Sequence, residues 1–334
     1  MYCHCVKSSG QLPTRADLWI DDRWSGAHGI GRYATEILSR LTLPWLPLPA
    51  NGGPSDPVDF LRRRVVSKNG LVYSPGYNAG VSQARQIITI HDLIHLSTPW
   101  PGRAKYLAYY DLVARPAIRR AKAVFTVSDA TSTVIRDWLR DDSVEVINAG
   151  EGVSEAFSLD GPAEPFARPT ILTVGNLRKH KNLAVLVSAL ALIDSMDAVF
   201  IVPAAEMEDL AGIVSTSQLT SRVSILSGVS DERLAELYRG AAVTAFPTVL
   251  EGFGLPALES IQCGTPVVHW AGCPSVGEIV GDRGVAVESA HDASQWAEAL
   301  TRAAEGPRVS PFPPSDHSWD RAASTIQSYL TARI

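Results

Sequence analysis

Two glutamates that frame a glycine-rich turn are the residues of this sequence best suited to chemistry. Glu251 and Glu259 lie in the segment 246–260, in which a strand pattern gives way to glycines and then to a helix start. Gly252 and Gly254 allow backbone N–H groups to approach a ligand, and the free N–H groups of a helix start favour an anion such as a diphosphate. A carboxylate on such a loop can accept hydrogen bonds from sugar hydroxyls. Each glutamate alone could merely be an exposed acid or stabilise its helix start, but the pair favours a ligand site.

A basic stretch follows the first predicted strand of the second half of the chain. Residues 173–183 contain Asn176, Arg178, Lys179 and Lys181. Positive charge in such a place offsets the negative charge that develops on a departing diphosphate. Arg178, Lys179 or Lys181 could supply this charge, and a solvated basic loop is the alternative.

The first half carries a glycine-rich turn before a helix and a histidine at the end of a strand. Residues 25–34 include Gly29 and Gly31, and His91 follows the strand predicted over 86–90. A lone histidine at a strand end is more often structural. The motifs that accompany His91 favour a functional role instead.

The same glycine turn satisfies the G-x-G-x-x-A pattern of dinucleotide-binding proteins. In that class the turn directly follows its strand, and the next strand ends in an acid that binds ribose. Here the strand ends about seven residues before Gly29, and the next strand, near 45–48, is followed by Pro49 and Ala50. We therefore disfavour a nicotinamide-dependent oxidoreductase, an interpretation that NAD binding would revive.

Short β-branched runs alternate with helical patterns, which predicts an α/β protein with parallel sheets. Each run is apolar enough to be covered on both faces. The predicted strands are 17–21, 71–73, 86–90, 123–127, 144–147, 170–174, 198–202, 222–226, 243–246 and 266–269. The clearest helical patterns are 31–41, 103–120 and 130–140, and a further helix is predicted to start at Pro256. Ligands are expected at the carboxyl ends of the strands, in a cleft between two domains.

Proline-rich breaks indicate the domain limits. The stretch 154–169 combines Gly161-Pro162 with Pro165 and Pro169, and a second break over 306–314 precedes a helical pattern at 319–330. We predict a frayed terminus over 1–15, one domain over 16–155, a second over 156–317 and a final helix over 318–334.

Composition narrows the class of protein. Hydrophobic residues make up 46% and charged residues 19% of the 334 residues, which is the balance of a globular chain long enough for two domains. The net charge is −5, with +2 in residues 1–160 and −7 in residues 161–334, so no overall cationic field indicates nucleic acid. No apolar run approaches the ~20 residues that span a bilayer. Four cysteines in a chain this long are not a disulfide framework, so we expect a reducing cytoplasm.

Two further features concern the terminus and the surface. The start, with Cys3, His4 and Cys5, lacks the charged-then-apolar order of a signal peptide and has no second ligand cluster for a metal, so we interpret it as frayed. Basic clusters at 62–64 and 115–122 can attract anionic lipid head groups, although we favour a solvated helix face.

Taken together, these motifs resemble those of retaining family 4 glycosyltransferases. Residues 251–259 resemble the sugar-recognition loop of that family with its Glu-x7-Glu pair. Residues 173–183 resemble its basic loop, with departures at Asn176 and His180, where other members have arginine. Further motifs occur in the family's order at 25–34, 89–93, 127–129, 148–153 and 317–319, so the resemblance spans about residues 16–334. It implies the GT-B fold, in which two doubly wound Rossmann-like domains face a cleft and a C-terminal helix crosses back to the first domain.

The resemblance also implies roles for individual residues. Glu251, Lys181 and His91 would act on the transferred sugar and its diphosphate, and Glu259 would hold the ribose. The donor-binding residues that it implies are Gly29, Gly31, Asn176, Arg178, Gly252, Phe253, Gly254, Leu255 and Glu259. The first domain would bind the acceptor and the second the nucleotide sugar. No metal ion is expected, and no cofactor beyond the nucleoside-diphosphate sugar that serves as co-substrate.

The implied reaction is transfer of a hexose, with retention of configuration, to a glycan or lipid-linked saccharide. The setting would be bacterial surface polysaccharide or lipopolysaccharide synthesis, in the cytoplasm and in peripheral contact with the inner face of the membrane. Among mannose, rhamnose and glucose donors we favour GDP-mannose, on resemblance alone. Two alternatives stay open because a fold does not determine function. They are a sugar-nucleotide epimerase or hydrolase on the same scaffold, and a non-catalytic sugar-nucleotide-binding protein.

Overall fold

Two parallel sheets with helices on their faces make up the protein. The structure, a computed structural model, describes residues 18–26, 28–56, 58–62, 70–97 and 99–334, with the side chain of Arg62 left undescribed. The predictions for the terminus 1–15, for Cys3-His4-Cys5 and for the basic cluster 62–64 therefore lie outside what is described. None of the helices in the described ranges is long and apolar enough to cross a membrane.

The first sheet has six strands in the order β2-β1-β3-β4-β5-β6. The strands are β1 (Leu18–Ile20), β2 (Leu46–Pro47), β3 (Leu71–Ser74), β4 (Arg85–Ile90), β5 (Ala123–Thr126) and β6 (Glu145–Asn148). The helices among them are α1 (Gly29–Arg40), α2 (Asp59–Arg62), α3 (Ile94–Ser97), α4 (Arg103–Tyr109), α5 (Arg115–Ala121) and α6 (Asp129–Leu139).

The second sheet also has six strands, in the order β12-β11-β10-β7-β8-β9. They are β7 (Thr170–Val174), β8 (Asp197–Ile201), β9 (Val223–Leu226), β10 (Val243–Phe246), β11 (Val267–Trp270) and β12 (Gly284–Val287). The α-helices are α7 (Leu183–Leu190), α8 (Met207–Thr216), α9 (Asp231–Gly240), α10 (Leu255–Gln262), α11 (Pro274–Val280), α12 (Ala293–Glu305) and α13 (Trp319–Thr331). Turns Lys179–Lys181 and Ala204–Glu206 are 3-10 helices.

The predicted strands are confirmed to within one or two residues, and β12 is the strand that the sequence did not reveal. Its residues lie at the sheet edge and are mostly part-exposed, and its apolar run is only four residues long and begins with Gly284, a residue type that is depleted in strands. Helix α10 begins at Leu255, one residue before the predicted start at Pro256. The 103–120 pattern forms one continuous helical stretch that contains a π-helix over Tyr110–Ala114. We attribute the π-helix to Pro116, which has no N–H to donate to the carbonyl of Leu112.

Between β6 and β7 the chain contains turns and bends but no helix or strand, where the sequence predicts a linker. The exact domain limits stay a prediction. Helix α13 packs against α1, as the GT-B resemblance implies. One buried cluster joins the halves, since it includes Tyr33 and Ile37 of α1, Phe253 of the second half, and Trp319 and Ile326 of α13.

The basic side chains of the cluster at 115–122 make hydrogen bonds to other residues of the protein. Arg115 donates to the carbonyl of Trp138 and stacks over its ring, with 4.6 Å between the guanidinium carbon and the ring centroid. Arg119 and Arg120 donate to the carbonyls of Leu139 and Ser82, and Lys122 donates to Ser143. Arg119, Arg120 and Lys122 also remain exposed, and the choice between a solvated helix face, which we favoured, and membrane contact stays a prediction.

Candidate active site

The glutamate and the lysine singled out by the sequence meet at the carboxyl ends of neighbouring strands. Lys181 ends the 3-10 turn after β7, and its Nζ donates to Oε1 of Glu251 on the loop after β10. Two further hydrogen bonds join these loops, from Val249 N and Thr248 Oγ1 to the carbonyl oxygen of His180, at 2.7 Å and 3.2 Å. The Lys181 and Glu251 side chains are only 19% and 14% exposed, so the pair is largely shielded from water.

The other predicted members of the basic loop have different positions. Arg178 and Lys179 are exposed, and the side chain of Asn176 accepts a hydrogen bond from the backbone N of Arg178 at 3.1 Å. Burial, followed by the charge of Lys181, lowers the pKa of His180, which favours the neutral form of its ring. Within this loop, Lys181 is thus the cation that the fold directs at Glu251.

The glycine turn after Glu251 forms the contact between the two halves. A Cβ atom on Gly252 would lie 2.1 Å from the carbonyl oxygen of His91, closer than any side chain allows. The carbonyl oxygen of Gly252 accepts hydrogen bonds from Ser128 Oγ at 2.6 Å and Thr131 Oγ1 at 2.8 Å. Gly254 has φ +116°, in the left-handed region that favours glycine, and it caps α10.

Phe253 and Leu255 complete this turn. Phe253 is buried, and its ring lies edge-on to the ring of His317, with 5.9 Å between centroids. Leu255 is half-buried at the first position of α10. Both side chains therefore shape the turn through packing.

A second set of contacts closes the halves beside this turn. Glu278 of α11 accepts hydrogen bonds from the backbone N atoms of Asp129 and Ala130 at the start of α6, at 3.1 Å and 3.0 Å. A carboxylate is favourable there because unpaired N–H groups and the helix dipole concentrate positive charge. The sequence did not indicate Glu278, since nothing local to it shows that α6 lies opposite.

His91 lies at this junction with both ring nitrogens against protein acceptors. Its Nδ1 is 3.3 Å from Glu151 Oε1, and its Nε2 is 2.9 Å from the carbonyl oxygen of Pro75. The ring also meets the edge of the Tyr33 ring, with 4.6 Å between centroids. The sequence predicted that His91 lies near the reacting centre, and that role stays a prediction. In the structure its ring lies beside Glu151, and its carbonyl oxygen lies against the backbone of Gly252.

Glu259 is buried beneath the glycine turn. Its side chain is 6% exposed, and its carboxylate oxygens accept from Arg32 Nη1 at 3.4 Å and from the Tyr238 hydroxyl at 3.3 Å. Burial raises the pKa of Glu259 to about 7, and the charge of Arg32 is the main influence that opposes this rise. Sequence reasoning missed Arg32, although it directly follows Gly31.

The glycines of the first half organise the start of α1. His28 caps this helix by accepting a hydrogen bond from Gly31 N at 3.1 Å. A Cβ atom on Gly31 would lie 2.5 Å from the carbonyl oxygen of Gly26, whereas one on Gly29 would meet nothing within 4 Å. Gly31 is therefore required by packing, and Gly29 leaves the helix start open.

A cavity of about 490 Å³ lies in the first half, beside the loop that follows β3. Tyr77, Tyr106 and Tyr109 line it, and Lys105 contributes a cation. Leu112, also a lining residue, is 76% exposed. The sequence did not reveal this cavity, because its walls come from segments that are distant along the chain.

The fold defines the class of the protein as GT-B. Sucrose-phosphate synthase from Thermosynechococcus elongatus superposes with a TM-score of 0.67 at 19% identity, covering 95% of this chain and 94% of that chain. WaaG, a glycosyltransferase involved in lipopolysaccharide biosynthesis, superposes with a TM-score of 0.62 at 13% identity, covering 93% of this chain and 95% of that chain. At such identities the similarity establishes the fold alone.

Sequence comparison shows which proteins this chain is similar to. The model of the family described as Glycosyl transferases group 1 matches residues 160–325. O-antigen chain mannosyltransferase B from Escherichia coli is 25% identical over 239 residues, which cover 66% of this chain and 62% of that protein. D-inositol 3-phosphate glycosyltransferase from Rhodococcus erythropolis is 35% identical over 126 residues, 35% of this chain and 28% of that protein. The chain thus has the GT-B fold and is similar to glycosyltransferases of the family 4 type, as its motifs indicated, and its matches span less than two thirds of the length of these relatives.

Proposed function

We propose that this protein is a glycosyltransferase that moves a hexose from a nucleoside-diphosphate sugar to a hydroxyl of a saccharide acceptor. The observation that carries the proposal is the meeting of Lys181, Glu251 and the Gly252 turn at the contact between the halves. A diphosphate placed at the start of α10 would meet free backbone N–H groups and the ammonium of Lys181. The sugar hydroxyls would then lie within reach of Glu251.

In the proposed reaction the bond between the anomeric carbon and the donor phosphate oxygen breaks, and its electron pair leaves with the nucleoside diphosphate. The acceptor oxygen bonds to the same face of that carbon, and its proton passes to the departing phosphate. Lys181 stabilises the phosphate charge, and closure of the halves around Gly252 excludes water. Because the acceptor bonds to the face from which the phosphate departs, configuration is retained without a nucleophile of the protein. In this proposal Lys181, rather than a metal ion, offsets the phosphate charge.

For the donor we propose GDP-mannose, which the family resemblance suggests. The relative from Escherichia coli, named as an O-antigen mannosyltransferase, supports this proposal. For the acceptor we propose a glycan or a lipid-linked saccharide of surface polysaccharide synthesis. The tyrosine-lined cavity of the first half supports an amphipathic acceptor, because aromatic rings provide apolar faces with polar edges.

A thermal-shift screen against GDP, UDP, dTDP, ADP and NAD, with EDTA present, tests the proposal. We expect GDP to raise the midpoint and NAD to leave it unchanged. A ligand at a hundredfold excess over its Kd stabilises the folded state by about 2.7 kcal/mol. A shift with NAD alone would favour the oxidoreductase, and a shift that appears only when a divalent cation replaces the EDTA would contradict metal independence. Incubation with GDP-mannose in the absence of acceptor separates a transferase from an epimerase, which needs no acceptor.

Peripheral contact with the membrane can be tested at the mouth of the cavity. Val81 and Leu112 line it and are 46% and 76% exposed. We expect Leu112→Asp to reduce co-sedimentation with phosphatidylglycerol–phosphatidylcholine vesicles by about tenfold, because it replaces an apolar contact with a charge that the vesicles repel. Leu192→Asp, at a position 59% exposed in the second half, is the matched control and should bind as the parent does. Equal binding by the parent and both variants would contradict contact between this surface and the membrane.

A further inference from the structure

Arg32 extends from the first half of the protein to two carboxylates of the second half. It lies on α1, and its Nη2 is 2.8 Å from Asp231 Oδ2 while its Nη1 is 3.4 Å from Glu259 Oε1. Its guanidinium carbon lies 6.0 Å from the ring centroid of Phe157. The Arg32 side chain is 23% exposed and that of Glu259 is 6% exposed, so these contacts lie within the junction.

The groups around Glu259 act on the ionisation of its carboxyl group in opposite directions. Burial disfavours its charged form, and the nearby carboxylates of Asp231 and Glu151 act in the same direction. Arg32 and the Tyr238 hydroxyl favour the charged form, and the thiol of Cys263 is close enough to interact with Glu259 as well. Of these groups, Arg32 is the one that carries positive charge.

We propose that Arg32 is a positioning residue for the donor, which holds the Glu259 carboxylate ionised and oriented for the ribose hydroxyls when the two halves close. Asp231 anchors the guanidinium from the other side, so Arg32 is directed at Glu259 by a second ion pair. This inference rests on the proposed function, because it assigns the site of the nucleoside. It makes ribose recognition depend on closure, since the cation and the carboxylate belong to different halves.

Nucleotide binding should depend on pH through the ionisation of Glu259. The pKa of Glu259 is about 7 with Arg32 in place, so the carboxylate form grows as the pH rises through neutrality. Loss of Arg32 removes an influence that lowers this pKa, so the carboxylate would then form only at higher pH. Binding by an Arg32 variant should therefore be weak near pH 7 and recover in alkaline solution.

Calorimetric titration of the full chain with GDP between pH 6.5 and 9 tests the inference. We expect Arg32→Ala to bind about fivefold more weakly at pH 7, since raising a pKa of about 7 by about one unit lowers the ionised fraction from about one half to about one tenth, and to approach the parent at pH 9. Arg32→Lys should restore most of the affinity at pH 7. Arg32→Gln keeps much of the bulk without the charge and should behave as Arg32→Ala does, which guards against a folding defect in the smaller variant. Arg40→Ala, on the same helix and paired with Glu36 and Asp320, should match the parent at every pH.

The outcomes separate this inference from the proposed function. If the parent protein binds none of the nucleoside diphosphates at any pH, the proposed function fails and the inference fails with it. If the parent binds GDP and the Arg32 variants show the same affinity, a uniform loss at all pH values, or tighter binding, then only the inference is overturned. A uniform loss would mean that Arg32 contacts the ligand directly, and tighter binding would mean that it competes with the ligand for Glu259.

Discussion

Lys181→Ala is expected to reduce the transfer rate by on the order of 10²–10³-fold, the loss seen when one preorganised electrostatic contact to a transition state is removed. Lys181 is the cation of its loop that the fold directs at Glu251, whereas Arg178 and Lys179 are exposed. Neither of these two residues is therefore positioned to replace its charge. Steady-state kinetics with GDP-mannose and a saccharide acceptor would measure the effect, which should fall mainly on kcat.

The contact with Glu251 adds an effect on stability. Removing either partner leaves a largely buried charge unpaired, which costs about 1–3 kcal/mol. The double variant Lys181→Ala/Glu251→Ala should cost less than the sum of the single variants, because it leaves no unpaired charge. Chemical denaturation of the three variants measures this coupling.

Lys122→Ala is the control for both effects. It removes an exposed lysine that contacts Ser143, and it should leave both rate and stability unchanged. If Lys181→Ala turned over as fast as the parent, Lys181 would have no role in the reaction.

Gly252→Ala is expected to lower turnover by about 10²-fold, because an atomic misplacement of ~1 Å at a reacting centre has an effect of this size. The added methyl group would lie 2.1 Å from the carbonyl oxygen of His91, and that backbone atom cannot move aside as a side chain could. The turn must shift, which disturbs the hydrogen bonds from Ser128 and Thr131 and displaces the adjacent Glu251. The two sheets should remain folded, so circular dichroism should change little while activity falls.

Gly212→Ala is the matched control for this substitution. Gly212 lies inside α8, where a Cβ atom would meet nothing within 4 Å. Alanine in a helix interior is favoured over glycine by about 0.5–1 kcal/mol, so this variant should be slightly more stable and fully active. Normal activity of Gly252→Ala would show that the contact with His91 is not needed for the reaction.

The sequence by itself was sufficient for the α/β class and for the positions of most strands. Central parallel strands are buried on both faces, so their continuous apolar runs are visible without knowledge of the fold. The edge strand β12 was not predicted because its apolar run is only four residues long and begins with glycine, which is depleted in strands. The turn 251–254 was also predicted locally, since glycine, proline and a helix start follow one another along the chain.

Contacts between distant segments required the tertiary structure. Lys181 and Glu251 are separated by 70 positions, and their direct ion pair depends on the adjacency of β7 and β10. Arg32 and Glu259 are separated by 227 positions and meet only because the two halves close on each other. The anchoring of His91 by Glu151 and the cavity beside Tyr77 have the same origin.

The sequence alone therefore determined the elements, the glycine turns and the chemical character of the loops, because propensity and burial act on neighbouring residues. Only the tertiary structure decided which of these loops face each other and which charges are compensated. The physical reason is that the strength and ionisation of a buried charged group depend on the groups within a few ångströms of it in space, and chain order does not specify them.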